Sequence, residues 1–334
     1  MIIFRFNLTK EFASGHLFRA VNLYNTILKY SDKIPKDKIF FFIHTDEFAR
    51  KYRKFLKNKI CFAFKDLNYE YSMLDMIAQT ITQKKKIIIL DVKDTSETYI
   101  NFLKRYNFKI IGFDDTGPGS KFLDFLIDAN IHKISKKSNQ LFGPKYILLA
   151  PIFSEYNKQE KKISEKIKKG LLFFGGADNN RIAEFIMNNI DKLNFKDCSL
   201  RIITNLDIKR NPNYPRIRII KKMVAPEEIA KLYYDYDFAI ISGGISIYES
   251  MCCGCPSIVI NQNAEQNKNV SYYNEQLINI GVFNAETAVE QLNTAFVKIS
   301  DVAERKKLSD LSKKTIDGFG YMRIIKVLEK IIDE

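Results

Sequence analysis

Three glycine-bearing loops in this 334-residue chain hold the residue types that can do chemistry. The first reads Phe12-Ala13-Ser14-Gly15-His16-Leu17-Phe18-Arg19 and follows the apolar run Ile2-Ile3-Phe4-Arg5-Phe6. Gly15 permits a tight turn and close backbone approach. A helix opening near His16 offers N–H groups without partners and a partial positive charge. An imidazole at that place can take a proton as general base at neutral pH. The plainer alternative is a capping or packing histidine, and that alternative is preferred for His44 and His132, which lack a glycine neighbour.

The second loop, Gly175-Gly176-Ala177-Asp178-Asn179-Asn180, follows the run Leu171-Leu172-Phe173-Phe174. Its glycines leave backbone N–H groups open to a phosphate, and Asp178 or Asn179 can cap the next helix. It matches neither the Walker pattern nor the dinucleotide glycine fingerprint, so a plain strand-to-helix turn explains it equally well. The third loop, Ser242-Gly243-Gly244-Ile245-Ser246-Ile247-Tyr248-Glu249, is the most informative. A buried strand runs into two glycines and a helix begins at once. A diphosphate suits the start of that helix, and Glu249 further along can accept hydrogen bonds from ribose hydroxyls.

Other reactive residues carry less. Cys252 and Cys255 have a spacing found in zinc sites, but Cys61 and Cys198 are isolated, so no second pair completes a site. Small buried residues at a helix end are the expectation for the cysteine cluster. Asp114-Asp115 ends a strand and could hold a metal, though the turn Asp115-Thr116-Gly117-Pro118 explains it as well. No metal or cofactor is expected.

Elements of alternating type must position these loops. Ile2–Phe6, 38–43, 87–91 and 108–113 read as strands, and 17–30, 47–56 and 98–105 as helices. Such alternation means βαβ units and a mainly parallel sheet. The composition turns charged from Ser154 to Lys169, and the alternation then restarts: strands at 171–174, 200–203, 217–220, 238–241 and 257–260, helices at 181–193 and 226–233. The reading is α/β, with two doubly wound Rossmann-like domains facing across a cleft. The first spans 1–154, with the C-terminal helix 318–334 able to join it; the second, nucleotide-binding, spans 155–317.

Lysine and arginine total 53 against 39 acidic residues, a formal net charge of +14. The cations are spread along the whole chain, as on an ordinary solvated surface. No helix-turn-helix spacing, zinc knuckle or aromatic-interleaved basic motif points to nucleic acid. No apolar run is long enough to span a membrane, none precedes the first strand, and the five cysteines are odd in number, so a cytoplasmic protein without stable membrane insertion is expected.

Taken together, the loops resemble the UDP-sugar hydrolases of pseudaminic-acid biosynthesis and the related spore-coat polysaccharide biosynthesis proteins, which are similar in fold to the GT-B glycosyltransferases. The resemblance runs in order along nearly the whole chain: Gly15-His16 with Arg19, Leu90-Asp91 with Tyr99, Asp114-Asp115, Gly143 to Tyr146, Gly175 to Asp178, Ser242 to Pro256, and Asp317-Gly318-Phe319-Gly320 with Arg323. Two positions depart from it: Ala13 replaces a glycine, and Glu265 stands beside Gln266 where the family has asparagine.

The resemblance implies a UDP-sugar as substrate. Glu249 would take the ribose; Gly243, Gly244, Ile245 and Ser246 would take the diphosphate. Gly15, Arg19, Gly175, Gly176, Ser242 and Gln266 complete the binding set. His16 would activate water for attack at the anomeric carbon, with UDP leaving. The alternative is a glycosyltransferase using the same donor and an unknown acceptor. The sugar and the oligomeric state are not legible.

Overall fold

The computed structural model describes residues 1–11, 15–80, 85–130, 138–175, 178–221 and 224–334. Ala13, Gly176 and His132 therefore lie outside the described residues. The chain divides into two compact units, Met1–Leu149 with Phe319–Glu334, and Ala150–Gly318.

Unit 1 begins with strand β1 (Ile2–Leu8) and helix α1 (Gly15–Tyr30), followed by β2 (Ile39–Thr45), α2 (Arg53–Leu56), β3 (Ile60–Phe64), α3 (Asn68–Thr80), β4 (Lys86–Asp91), α4 (Glu97–Lys104), β5 (Phe108–Phe113), β6 (Phe125–Asp128) and β7 (Gln140–Phe142). The seven strands form one sheet in the order β3-β2-β1-β4-β5-β6-β7, and every described pairing is parallel. β1 shows how the sequence specifies a sheet covered on both faces. Phe4, Phe6 and Leu8 join a core with Leu17, Leu23 and Ile27 of α1. Ile3 on the other face joins Leu74 and Ile77 of α3 and Ile100 of α4. Alternation of side chains along a strand requires this division.

The last helix, Gly320–Asp333, belongs to the same core through Tyr321, Ile324, Ile325, Leu328 and Ile331. That spacing is the apolar stripe of an amphipathic helix. Gly320 lets the helix start against the chain, since a β-carbon there would lie 2.1 Å from the Ile147 carbonyl oxygen.

Unit 2 runs through α5 (Pro151–Lys158), β8 (Lys169–Phe173), α6 (Ile182–Asn188), β9 (Ser199–Ile203), β10 (Ile217–Ile220), α7 (Pro226–Asp235), β11 (Phe238–Ile241), α8 (Ser246–Cys252), β12 (Ser257–Asn261), α9 (Ala264–Val270), β13 (Ile278–Val282), α10 (Ala288–Ser300) and α11 (Val302–Thr315). Its six strands lie in the order β10-β9-β8-β11-β12-β13, again with parallel pairing throughout.

Several elements differ in detail from the sequence reading. Residues 47–56 form a 3-10 stretch, Glu47–Tyr52, before the short α2. Pro151 starts a helix rather than only ending an apolar run, because proline at the first helical position forfeits no intrahelical bond. The apolar runs of β3, β6 and β13 are strands, and 68–80 is a helix, none of which was read from periodicity.

Candidate functional site

In a doubly wound sheet the crevice for ligands opens at the carboxyl ends of the strands, where the strand order reverses. In unit 1 the chain moves from β1 outward to β2 and β3, then returns to β4 on the other side of β1. The reversal therefore lies between β1 and β4, and the residues at those strand ends are His16 and Asp91.

His16 stands in the first turn of α1 and is buried. Its Nδ1 lies 2.8 Å from the carbonyl oxygen of Asp91 and 3.0 Å from Oδ1 of the same residue. Both are acceptors, so Nδ1 carries the proton and Nε2 is the basic nitrogen. Asp91 ends β4 and is itself buried. Burial works against its charge, but Arg19, then His16 and Lys93, hold its carboxyl below the usual range.

Arg19, one turn after His16, points inward. Its Nε lies 3.0 Å from Oδ2 of Asp91, and its Nη1 donates to Oδ2 of Asp114 at 2.6 Å. Burial opposes the guanidinium charge, yet Asp91 and Asp114 together raise its pKa above the usual value. Arg19 thus holds two protein carboxylates. Gly15 opens α1, and a β-carbon there would meet nothing within 4 Å. In the sequence Asp91 stands out only within the pattern Leu90-Asp91 with Tyr99. The signal that finds it is an aspartate closing the strand beside β1. Tyr99, the other member of that pattern, instead donates to Glu70 at 2.5 Å inside a buried cluster with Arg5.

In unit 2 the same logic places the reversal between β8 and β11. The loops that leave these strands carry Gly175 and Ser242–Gly244. They are tied together: the Ser242 hydroxyl donates to the Phe174 carbonyl at 3.3 Å, and the Gln262 amide donates to the same oxygen at 3.3 Å. Gln262 also accepts from the Asn179 N–H at 3.0 Å. Asp178 caps α6, accepting from the N–H groups of Ile182 and Ala183 at 2.8 Å each. Gly175 has a φ of 78°, the left-handed region that favours glycine. β-Carbons added at Gly175 or Gly244 would meet nothing within 4 Å, so the main chain at both is open to a ligand.

Ile245 beside it is 49% exposed, while Ser246 opens α8 and is buried. Glu249, on the same short helix, is only partly exposed, and its carboxylate has no hydrogen-bond or ion-pair partner among the described residues. Burial pushes its carboxyl up to about 7. A carboxylate kept without a partner costs stability, which marks it as a candidate ligand group. Gln266 turns its side-chain oxygen onto the Gln262 N–H at 2.9 Å, leaving its amide NH2 as the group available for contact. Glu265 is exposed.

The remaining candidates are structural. Asp115 accepts from Thr95 Oγ1 at 2.6 Å and from the Gly117 N–H at 2.9 Å, which makes it a turn residue. Cys252, Cys253 and Cys255 are buried free thiols. Burial pushes Cys252 up to about 12 and Cys255 to about 11, so neither is a thiolate at neutral pH. Among the described residues no group of three or more His, Cys, Asp or Glu side chains could hold a metal ion, and no helix is long and apolar enough to cross a membrane.

No family model matches the chain. It is 24% identical over 278 residues to an uncharacterised protein of Methanocaldococcus jannaschii, a stretch covering 77% of this chain and 54% of that protein. The chain thus spans about half the length of that relative. It is 21% identical over 290 residues to the spore coat polysaccharide biosynthesis protein SpsG of Bacillus subtilis, covering 79% of this chain and 83% of that one. Among solved structures, Phytolacca americana UGT2 in complex with UDP-2-fluoro-glucose and pterostilbene superposes with a TM-score of 0.66 at 10% identity, covering 98% of each chain. The fold, two Rossmann-like units with parallel sheets, is shared with GT-B glycosyltransferases and UDP-N-acetylglucosamine 2-epimerases.

Proposed function

We propose that the protein is a GT-B-type enzyme that transfers the sugar of a UDP-sugar donor to an acceptor hydroxyl in surface-polysaccharide biosynthesis. The observation that carries the reading is the His16–Asp91 pair at the strand reversal of unit 1. Within unit 2, the Glu249 carboxylate follows the open glycine turn and has no hydrogen-bond or ion-pair partner among the described residues.

In this reading the two ribose hydroxyls donate to Glu249. The diphosphate meets N–H groups of Gly243, Gly244 and Ile245 and the Ser246 hydroxyl, and Gly175 leaves room on the facing loop. Nε2 of His16 takes the proton of the attacking hydroxyl as its oxygen bonds to the anomeric carbon. The bond from that carbon to the diphosphate oxygen breaks, and UDP leaves with the electron pair. Asp91 keeps the ring in the right tautomer and stabilises the imidazolium that forms. Fixed donors on a leaving oxyanion are each worth ~3 kcal/mol of barrier lowering.

The similarity to a spore-coat polysaccharide protein and to a UDP-sugar-bound structure supports this reading. A second reading, with water as the nucleophile, is favoured by the ordered match to the UDP-sugar hydrolases. Incubating the pure protein with a panel of UDP-sugars, without and then with extracts of surface glycans, separates the two. UDP release that needs the acceptor supports transfer; acceptor-free release at enzyme-like turnover supports hydrolysis. No release under either condition would sink both.

A further inference from the structure

Two arginines stand side by side at the edge of the unit 2 sheet. Arg201 is the middle residue of β9, and Arg218 is the second residue of β10, the edge strand. The parallel register sets them opposite one another, on strands about 4.8 Å apart. Leu200, Ile202 and Ile217 belong to the core of unit 2, so alternation puts both arginines on the other face of the sheet. On the inner side of Arg201 the neighbour in register is Leu171, which is fully buried.

Like charges opposite one another on neighbouring strands destabilise a sheet. Neither arginine side chain has a hydrogen-bond or ion-pair partner among the described residues. Nε of Arg201 is buried without an acceptor, a condition that native structures seldom leave uncompensated. The Tyr236 ring packs against Arg201, whose Cζ lies 5.6 Å from the ring centre. The carboxylates on either side of Tyr236 are engaged elsewhere. Asp235 accepts from Lys231 Nζ at 2.7 Å. Asp237 accepts from Ser164 Oγ and the Lys168 N–H at 2.8 Å each, and from the Lys169 N–H at 2.9 Å. Arg201 is partly exposed and Arg218 exposed, so an anion from solvent can approach the pair. A cation on an edge strand also deters pairing with another sheet. That accounts for Arg218; it does not account for Arg201, one strand further in and with a buried donor.

We propose that Arg201 and Arg218 form a binding site for a phosphate group, which the two guanidinium groups bridge while the Tyr236 ring backs Arg201. A carboxylate has two oxygens and fills one guanidinium fork; a phosphate has further oxygens for a second fork and carries more charge. The site is separate from the glycine turns. Those turns leave β8 and β11 at their carboxyl ends, whereas Tyr236 precedes β11 at its amino end.

The test follows the arginine Nε–H signals of the full chain by 1H–15N NMR at pH 7, as inorganic phosphate is added at constant ionic strength. Arg201→Gln assigns the Arg201 signal, and Arg201→Lys assigns it should the glutamine form fail to fold. A saturable shift of that signal is expected. Arg218→Gln, at an exposed position, should weaken phosphate binding about fivefold or more. Acetate under the same conditions should give no saturable shift. UDP affinity by calorimetry should be unchanged in the Arg201 and Arg218 variants. An Arg201 signal that phosphate does not move, a shift that never saturates, equal phosphate affinity in folded Arg218→Gln, or an equal response to acetate would each overturn the assignment. Loss of UDP affinity in a folded variant would overturn the separation from the glycine turns. The phosphate readout needs neither nucleotide nor turnover, so its failure is distinct from failure of the UDP-sugar reading.

Discussion

Gly243 lies directly beneath the side chain of Asn261: a β-carbon at Gly243 would sit 2.2 Å from Asn261 Oδ1 and 2.8 Å from Val270 Cγ2. Asn261 cannot move aside cheaply. Its Nδ2 donates to Asn267 Oδ1 at 3.2 Å, to Asn279 Oδ1 at 2.8 Å and to the Gly281 carbonyl at 3.0 Å. The glycine after β11 is therefore set by contact with β12 and α9, and its neighbour Gly244, which faces open space, is not.

The contrast can be measured. Gly243→Ala is expected to destabilise unit 2 by ~1–3 kcal/mol through overpacking. Gly244→Ala should melt like the wild type in thermal unfolding but bind UDP at least threefold more weakly by calorimetry. A Gly244→Ala protein with unchanged UDP affinity would remove that turn from the nucleotide site.

Removing the imidazole separates chemistry from binding. His16→Ala is expected to lower turnover of the UDP-sugar substrate by about 10²–10⁴, the usual worth of a positioned general base, with UDP affinity within twofold of wild type. Asp91→Asn should lose a comparable factor while retaining the fold, because the amide can present a donor to Nδ1 and favour the wrong tautomer. Steady-state kinetics on each variant provide the check, and full turnover in His16→Ala would end its role as base.

Glu249 couples stability to pH. Its carboxyl is raised to about 7 in the folded chain, against about 4.3 when unfolded. The folded state holds the proton more tightly, so its destabilising effect is absent below the unfolded pKa, grows between the two values, and is complete above pH 7. Glu249→Gln should therefore raise the melting temperature at pH 8 and leave it nearly unchanged at pH 4. The ceiling on the gain is ~4 kcal/mol. Glu249→Ala should weaken UDP binding by about 2–5 kcal/mol, one to two hydrogen bonds to a charged group. Stabilisation at pH 4 equal to that at pH 8 would show that burial of the charge is not the cause.

Arg305 is fully buried and donates to four carbonyl oxygens, those of Ile299, Ser300, Ser164 and Glu165. It ties the stretch between α5 and β8 to the end of α10. Arg305→Ala should cost unit 2 roughly 3 kcal/mol or more, since each carbonyl loses a charge-assisted partner. Arg305→Lys should rescue little, because a point ammonium cannot span the fork. Denaturant unfolding of the two variants measures both; equal recovery with lysine would refute the geometric part.

Much of the framework was legible because local rules agreed. β-Branched and aromatic runs such as Ile87-Ile88-Ile89-Leu90 can only be buried strands of a two-sided parallel sheet. The loops after β1, β8 and β11 were recognised from glycine next to strand ends, and Pro226 opens α7 where a first-turn proline belongs. Less was legible at the edges. β3 and β6 are short, and their apolar residues follow lysine-rich or mixed segments that blur any period.

What the chain order determined by itself was the repeated strand–helix alternation, the three glycine turns and the kinds of groups they present. The tertiary fold alone decided which groups meet. His16 and Asp91 are 75 residues apart, and they become neighbours because β4 pairs with β1 on the side opposite β2. The order of β1, β4 and β5 likewise brings Arg19 onto two carboxylates. Strand order is set by the summed burial of whole faces, a quantity no short window of sequence contains.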